Sequence, residues 1–509
     1  MLRRPNILVF VVDQLTGTLF GTKDGGGPAD FLHAPNLKRL AERSRRFSNA
    51  YCPSPLCAPA RAALMSGLLP SRTGTYDNAA EFRSATPTWA HHLRRAGYKT
   101  NLSGKMHFVG PDQLHGFEVR TTTDVYPADF GWTPDWRDPH RRIDWWYHNL
   151  GSVTGAGTAE ITNQMEFDDE VAFHAKQSLH QWARRKDDRS WAMCVSFTHP
   201  HDPFVARKRF WDLYPDPSMP AVAAIPYEEQ DPHSARLMDM SDHTNFDITD
   251  DDVLNSRRAY YGNISYLDEK IGEILDVLEA CDFADDTAIV FLSDHGEMLG
   301  ERGLWFKMSF YEGSASVPLM VCAPGLEPGH VERPVSTLDL LPTLCEIAGG
   351  EAPTGIDGHS LLATSRPPVF VEYMAEGSVA PMVMVRAQDE RGDLKLVRCP
   401  ADPDQMFDLS ADPRELVDIA ETSPERDRLA AMIEAHVGDW SALDAQVRAS
   451  QTDRLIVYDA LRNGAYYPWD HQPIQLASER YMRNHMDLNE VEAGNRYPPT
   501  GTPYRENKT

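Results

Sequence analysis

The run Ile7-Leu8-Val9-Phe10-Val11-Val12 is followed directly by Asp13-Gln14, and this change from apolar to polar residues recurs along the 509-residue chain. Three further apolar runs, each with polar residues at its C-terminal end, occupy residues 98–102, 191–197 and 288–292. Continuous apolar runs of this length are typical of strands buried on both faces. Because ligands of α/β sheets lie beyond the carboxyl ends of the strands, we expect the four polar clusters to meet at one edge.

Helical patterns lie between these runs, at residues 35–44, 88–96, 169–184 and 252–280. Strands that alternate with helices indicate an α/β fold with a largely parallel sheet. Beyond a loop rich in Pro, Gly and Ser at 351–368, four short strands and a helix at 424–449 predict a smaller α+β unit. We therefore divide the chain into a domain of residues 1–367, a small α+β domain of 368–450 and a C-terminal extension of 451–509.

The C-terminal extension is too rich in aromatic residues to be disordered, with Tyr466, Tyr467, Trp469 and Tyr481 among them. It is also too short to form its own core. Exposed aromatic residues at this density are normally covered by an interface, and closed symmetric oligomers are the common outcome. We expect the extension to support a homo-oligomer, a dimer or tetramer, and to complete the active site.

Composition excludes several classes of protein. The formal net charge of −25, from 50 Lys and Arg against 75 Asp and Glu, argues against nucleic acid or an anionic membrane as a partner. The seven cysteines are scattered and include no Cys-x-x-Cys pair, so neither a disulfide framework nor a zinc site is indicated. The first apolar run is too short to span a membrane and ends in Asp13 rather than at a cleavage site. We expect a cytoplasmic protein.

Two of the polar clusters offer ligands for a metal ion. They contain three side chains with oxygen ligands and one imidazole, in Asp13, Gln14, Asp294 and His295. Such a set suits one divalent cation such as Ca²⁺ or Mn²⁺. Zinc is less suited, because no second His or thiolate lies at ligand spacing. A simple turn after a strand is the alternative interpretation of Asp294-His295-Gly296.

The other clusters supply cations and proton carriers. Lys105 and His107 follow one predicted strand, His201 follows another, and Lys307 lies further along. A lysine can hold an anionic oxygen, and a histidine can move a proton near neutral pH, although a solvated lysine is the ordinary case. Cations, histidines and a metal together suit transfer at the sulfur or phosphorus of a small tetrahedral anion.

The stretch Ser54-Pro-Leu-Cys57-Ala-Pro-Ala-Arg61 has the form Cys-x-Pro-x-Arg. An ordinary cysteine nucleophile needs a nearby base and has no use for this spacing. The alternative is a buried free cysteine before a helix at 60–66. The pattern resembles the signature that sulfatases present to the enzyme that oxidises their cysteine to formylglycine, whose hydrate carries the nucleophilic hydroxyl.

Taken together, the motifs resemble those of the sulfatase branch of the alkaline-phosphatase superfamily over most of residues 5–410. They include Gly104-Lys105-x-His107, Pro200-His201-x-Pro203 and Ser293-Asp294-His295-Gly296. Within that branch the chain is most similar to choline sulfatases, on residues 76–80, 144–148, 303–308 and the tail segments 463–471 and 481–486. The resemblance implies an alkaline-phosphatase-like fold, a large mixed sheet flanked by helices with a smaller C-terminal α+β domain and a C-terminal extension.

The resemblance also implies a role for each candidate residue. Asp13, Gln14, Asp294 and His295 would bind the metal, and Cys57, matured by a formylglycine-generating enzyme, would be the nucleophile held by Arg61. The sulfate oxygens would be bound by Lys105, Lys307 and Asn78. His107 would take a proton from the spare hydroxyl of the hydrated aldehyde, which releases sulfate, and His201 would protonate the leaving alcohol.

The expected substrate is a small-molecule sulfate ester, choline sulfate. A quaternary ammonium offers no hydrogen-bond donor, so aromatic faces and carboxylates must hold it. The expected pocket consists of Trp132, Trp145, Trp146, Glu376 and Asp487. Gln14 and His295 are also similar to the phosphonate monoester hydrolases, so a phosphonate monoester or phosphodiester hydrolase, or an arylsulfatase, stays the alternative. A non-catalytic binding protein would be expected to have lost Cys57, Arg61 or a metal ligand.

Overall fold

The computed structural model describes residues 4–21, 25–143, 147–185, 187–215 and 224–463. Its strands, in chain order from β1 to β15, are Asn6–Val12, Arg45–Tyr51, Lys99–Gly104, Val119–Arg120, Gly157–Thr158, Trp191–Ser196, Val205–Ala206, Thr287–Ser293, Ser316–Cys322, Gly329–Val331, Val335–Ser336, Val369–Tyr373, Met382–Asp389, Gly392–Cys399 and Asp402–Asp408.

Helices pack between and around these strands. In chain order from α1 to α13, they are Pro35–Glu42, Cys57–Ser66, Pro70–Thr73, Trp89–Arg95, Gly151–Thr154, Asn163–Arg184, Lys208–Trp211, Pro232–Met240, Asp250–Ala280, Glu312–Ala315, Leu340–Ile347, Arg426–Val437 and Trp440–Arg462. Within the described ranges, no helix is both long and apolar enough to cross a membrane.

A nine-stranded sheet forms the body of the protein, in the order β10-β2-β9-β8-β1-β6-β3-β4, with β11 paired to β2. The central strand β1 is parallel to both of its neighbours, β6 and β8, and all seven of its residues are buried. Burial on both faces explains why its sequence is apolar without alternation. The carboxyl ends of β1, β3, β6 and β8 meet at one edge, as the sequence predicts, and the predicted fold class is confirmed.

The sheet is largely parallel, as predicted, and strand β9 is the exception. Strand β9 pairs antiparallel with both β8 and β2, so the sheet is mixed. Six of the seven residues of β9 are buried, as in the parallel strands. Hydrophobic periodicity reports burial rather than strand direction, which is why the sequence pattern could not separate the two cases.

The helix α2 begins at Cys57 rather than at Ala60, and every one of its ten residues is buried. It ends at Gly67, whose φ of 68° is a left-handed cap conformation that favours glycine. Pro59 lies in the first turn, where the missing N–H costs no intrahelical hydrogen bond. The Cys-x-Pro-x-Arg motif is therefore the first turn of a helix enclosed in the core.

The smaller sheet has the antiparallel order β12-β13-β14-β15, and α12 packs on it. The single helix predicted at 424–449 is wrong, because α12 ends at Val437 and Gly438 has a φ of 73°. Asp439 caps α13 by accepting a hydrogen bond from the Ala442 N–H at 3.0 Å. Helix α13 continues to Arg462, so the predicted 450/451 boundary falls inside a helix.

Candidate active site

Four buried side chains with metal-ligand or nucleophile chemistry meet at the carboxyl edge of the large sheet. The ligand atoms of Asp13, Cys57, Asp294 and His295 all lie within 4.8 Å of one another. The His295 Nε2 is 3.7 Å from Asp13 Oδ1 and 3.8 Å from Asp294 Oδ1, spacings at which one cation can contact all three atoms. The Cys57 Sγ lies 3.1 Å from the same Nε2.

Hydrogen bonds outside this cluster orient the ligand atoms. The Nδ1 of His295 lies 3.1 Å from the Gly296 carbonyl oxygen and donates to it, so the lone pair of Nε2 faces the carboxylates. The Gln14 Nε2 donates to Asp202 and to Glu297, so the Gln14 Oε1, which also accepts from Lys307, is the atom of this side chain that could bind a cation. The donor set therefore fits a hard or borderline divalent cation.

Arg61 joins the two carboxylates of this cluster to helix α2. Its Nε donates to Asp294 Oδ2 at 2.7 Å and its Nη2 to Asp13 Oδ2 at 3.3 Å. Burial opposes the guanidinium charge, but Asp294 and Asp13 outweigh it and raise the pKa of Arg61. Burial likewise opposes ionisation of Asp13, and Lys105, with further positive groups, holds its pKa well below the usual range. Asp13 is thus held as an anion.

Each of the two predicted lysines contacts a predicted metal ligand. Lys105 contacts Asp13 through its Nζ, which is also 3.8 Å from Cys57 Sγ and 4.0 Å from the ring centroid of Tyr126. Lys307 donates to the Gln14 Oε1 at 2.5 Å. Lys105 and Lys307 are both fully buried. Two buried ammonium groups within reach of the nucleophile can hold the oxygens of a tetrahedral anion.

His201 contacts Lys307, whose Nζ donates to the His201 Nε2 at 2.8 Å. The Nδ1 of His201 donates to the Asp202 carbonyl oxygen at 2.7 Å. Burial and the charge of Lys307 together lower the pKa of His201 well below its usual range. The ring is therefore neutral in the free protein, and Lys307 supplies the proton of the hydrogen bond between the two side chains.

His107 lies beside the aromatic rings of Tyr126 and Trp132. Neither ring nitrogen of this buried histidine has a hydrogen-bond partner among the residues that the structure describes. The Trp132 ring lies edge-on to it with centroids 5.7 Å apart, and the Tyr126 centroid is 5.1 Å away. A buried imidazole with unused nitrogens is costly unless a substrate supplies the partner.

Asn78 and Glu376 border the same region. The Asn78 Oδ1 accepts a hydrogen bond from the Ala58 N–H at 3.0 Å, so the donor end of its amide is the one suited to an anion. Burial, with a smaller contribution from the nearby Asp77, raises the pKa of Glu376 to about 7, although Lys307 opposes that rise. One of its carboxylate oxygens, Oε2, has no partner among the described residues.

Three predicted pocket residues cannot be compared with the structure, because Trp145, Trp146 and Asp487 lie outside the described residues. The structure brings all the other predicted site residues to this edge of the sheet: Asp13, Gln14, Cys57, Arg61, Asn78, Lys105, His107, Trp132, His201, Asp294, His295, Lys307 and Glu376. By contrast, His199 points away, with its Nδ1 2.6 Å from the buried Asp168 Oδ2.

Sequence reasoning missed several residues of this site. Tyr126 contacts Lys105 and lies 3.3 Å from the His201 Nε2, yet it lies in a loop without a recognisable motif. Burial raises the pKa of Glu297 to about 7, and its Oε1 accepts from the Phe306 N–H at 2.6 Å. Its position after Gly296 in the metal motif is a signal that could have identified it.

Backbone conformation also marks the site. Four non-glycine residues here have positive φ, a sparsely populated region that surrounding packing must enforce: Gln14 (63°), His107 (53°), Phe306 (66°) and Met308 (77°). Two of them carry predicted site side chains, and the other two flank Lys307. The strained backbone positions therefore lie at, or next to, residues whose side chains form the site.

Known families match the chain along most of its length. The family profile described as Sulfatase matches residues 5–350. Two C-terminal profiles follow, N-sulphoglucosamine sulphohydrolase, C-terminal, at 300–441 and Choline sulfatase enzyme C terminal at 445–497. The catalytic cluster and the region beyond residue 441 are thus matched by separate profiles.

Individual relatives agree with these profiles. The choline-sulfatase of Rhizobium meliloti is 60% identical over 97% of this chain and 99% of its own length. The arylsulfatase of Clostridium perfringens is 26% identical over 84% of this chain and 92% of its own length. Among solved structures, the phosphonate monoester hydrolase of Agrobacterium radiobacter superposes with a TM-score of 0.67 at 25% identity, covering 87% of this chain and 96% of its own.

Proposed function

The chain belongs to the sulfatase family, and we propose that it hydrolyses choline sulfate to choline and sulfate. The observation that carries the proposal is the 60% identity with a choline-sulfatase over 97% of the chain, joined to a buried site that unites cysteine, carboxylates and cations. Incubation with choline sulfate should release choline and inorganic sulfate in equal amounts. Release of neither product by metal-loaded, mature protein would contradict the proposal.

The nucleophile is an oxygen that Cys57 itself cannot supply. We propose that a formylglycine-generating enzyme converts Cys57, and that the hydrated aldehyde provides the attacking hydroxyl. One divalent cation, Ca²⁺ or Mn²⁺, held by Asp13, Gln14, Asp294 and His295, would polarise the sulfate oxygens and lower the pKa of the bound nucleophile. Arg61 keeps both metal-site carboxylates in place by donating to them.

The remaining chemistry belongs to side chains of this chain. Lys105, Lys307 and the Asn78 amide hold the charged sulfate oxygens, because transfer at sulfur depends mainly on positioning and charge stabilisation. The negative charge of the bound ester favours protonation of His201, which donates its Nε2 proton to the departing choline oxygen. His107, whose ring nitrogens have no partner among the described residues, accepts the proton in the step that releases sulfate.

Replacing His201 by alanine should slow the hydrolysis of choline sulfate far more than the hydrolysis of 4-nitrophenyl sulfate. Choline is a poor leaving group that needs a proton, whereas nitrophenolate leaves readily. We expect kcat/KM to fall about 10²- to 10⁴-fold for choline sulfate and less than about tenfold for the nitrophenyl ester. His199→Gln is the control, since His199 pairs with Asp168 and should change stability without changing the substrate ratio. Equal losses on both esters would refute the role of His201.

Glu376 should hold the cationic end of the substrate, and the effect should depend on pH. Because the pKa of Glu376 is about 7, its carboxyl is neutral below that pH and anionic above it. KM for choline sulfate should therefore fall as pH rises through about 7. Glu376→Gln should raise KM for choline sulfate by about tenfold, or about 1.4 kcal/mol, and abolish that trend. An unchanged KM profile in the Gln variant would exclude Glu376 from the pocket.

We further propose that the enzyme acts in the cytoplasm as a homo-oligomer. All seven cysteines are free thiols, which supports a reducing compartment such as the cytoplasm. The aromatic residues of the C-terminal extension support a homo-oligomer, a dimer or tetramer, in which the extension approaches the substrate pocket. The Trp145, Trp146 and Asp487 side chains would complete that pocket around the ammonium group.

A further inference from the structure

A buried ion pair joins the C-terminal helix α13 to the active-site region. Arg454 donates to both carboxylate oxygens of Asp77, from Nη1 to Oδ1 and from Nη2 to Oδ2, each at 2.7 Å. Asp77 is fully buried and Arg454 is 5% exposed. Two parallel charge-assisted bonds fix the relative position of the two groups more strictly than one bond can.

The same carboxylate closes the turn that carries Asn78. The Asp77 Oδ1 accepts from the Ala79 N–H at 3.0 Å, and the Asp77 carbonyl oxygen accepts from the Ala80 N–H at 3.2 Å. Within this turn, Asn78 accepts from the Ala58 N–H, in the first turn of α2 and next to Cys57. Hydrogen bonds on either side of the Asp77–Asn78 peptide bond therefore connect Arg454 to the helix that carries Cys57.

Helix α13 also touches the loop that carries Trp132. The Arg454 Nη1 donates to the Thr133 Oγ1 at 3.0 Å, and Gln451 Oε1 accepts from the Trp136 N–H at 3.0 Å. Arg454 lies beyond the residues matched by the sulfatase profile and inside the stretch, 445–497, matched by the choline sulfatase C-terminal profile. The C-terminal region thus reaches the catalytic domain through buried side chains that include Arg454 and Gln451.

We propose that Arg454 is a positioning residue: through the carboxylate of Asp77 it fixes Asn78 against the first turn of α2, and so couples the C-terminal helix to the geometry of the nucleophile. The kinetic part of this inference rests on the proposed function. Loss of the guanidinium would leave a buried, unpaired carboxylate, which must find water or move, and the turn would move with it.

The kinetic test is a double-mutant cycle with 4-nitrophenyl sulfate. Arg454→Met and Asn78→Ala should each lower kcat/KM about 10- to 100-fold, because Asn78 serves the sulfate end of every ester. If Arg454 acts through Asn78, adding Arg454→Met to Asn78→Ala should lower kcat/KM by no more than about threefold further. Multiplicative losses would overturn the proposal, because an ion pair that only stabilises the fold acts independently of Asn78.

Arg366→Met is the matched control. Arg366 forms a buried two-point pair with Asp339, at 2.7 and 3.1 Å, and among the described residues this pair makes no hydrogen bond to Cys57 or to the Asp77–Asn78 turn. Its loss should lower Tm but leave kcat/KM of the folded enzyme within about twofold. Should Arg454→Met fail to fold, Arg454→Lys keeps the charge but not the two parallel bonds, and it should show the same non-additivity with a smaller loss.

Hydrogen-exchange mass spectrometry separates this inference from the proposed function. In Arg454→Met or Arg454→Lys, exchange should rise in peptides covering residues 57–62 and 75–82, and in Arg366→Met it should not. Unchanged exchange in those peptides would overturn the positioning role whatever the activity. Raised exchange in a protein that hydrolyses no sulfate ester would support the positioning role and contradict the proposed function instead.

Discussion

Replacing Cys57 by alanine is expected to lower kcat/KM for every sulfate ester by at least about 10⁴-fold while the fold is retained. The physical reason is that, in the proposed mechanism, the attacking oxygen is carried by the residue made from Cys57. Tm should change little, since Ala fits the space of a buried thiol with the loss of one sulfur atom.

Cys52 provides a matched control for this variant. It is a fully buried free thiol five residues earlier, outside the Cys-x-Pro-x-Arg motif. Cys52→Ala should retain kcat/KM within about threefold. Peptide mass spectrometry of active protein should find the thiol converted at Cys57 and intact at Cys52. Full activity of protein whose Cys57 is entirely unmodified would contradict the assignment.

Replacing Asp294 by asparagine is expected to remove the metal and to lower kcat/KM by about 10³-fold or more, which corresponds to about 4 kcal/mol of transition-state stabilisation. Asp294 supplies one of two carboxylates in the cluster and also accepts from Arg61. Elemental analysis should find metal bound in a 1:1 ratio in the wild type and well below that ratio in the variant.

A stability measurement separates metal loss from misfolding. Added Ca²⁺ or Mn²⁺ should raise Tm of the metal-free wild type, because a ligand that binds only the folded state stabilises it. The same addition should not raise Tm of Asp294→Asn. Asp339→Asn, which removes a buried charge from the Arg366 pair, should lose stability and keep its metal. Stoichiometric metal in both Asp13→Asn and Asp294→Asn would show that the ligands lie elsewhere.

The sequence predicts that these residues lie close together because they follow the ends of buried strands. Asp13 follows β1 and Asp294 follows β8, and these two strands pair in parallel, so their ends meet whatever the intervening loops do. Lys105 and His201 follow β3 and β6 in the same way. Local hydrophobic patterning therefore places residues that are far apart in sequence, as parallel sheets require.

Other features depend on contacts that no local pattern reports. Arg454 and Asp77 are separated by 377 positions, and Tyr126 reaches the site from an irregular loop. The division of the predicted helix at 424–449 is different, because Gly438 followed by Asp439 is a stop and start signal that could have been used. The direction of β9 was not accessible, since burial on both faces hides the alternation that distinguishes strand types.

Measurement of kcat/KM for choline sulfate, 4-nitrophenyl sulfate and a phenyl phosphonate monoester, on one preparation of mature protein, tests the central claim most directly. If the protein is a sulfatase whose pocket recognises a quaternary ammonium, kcat/KM for choline sulfate should exceed kcat/KM for each of the other two substrates by at least about 100-fold, or about 2.7 kcal/mol. Faster turnover of the phosphonate monoester than of choline sulfate would contradict the account and assign the site to phosphorus chemistry.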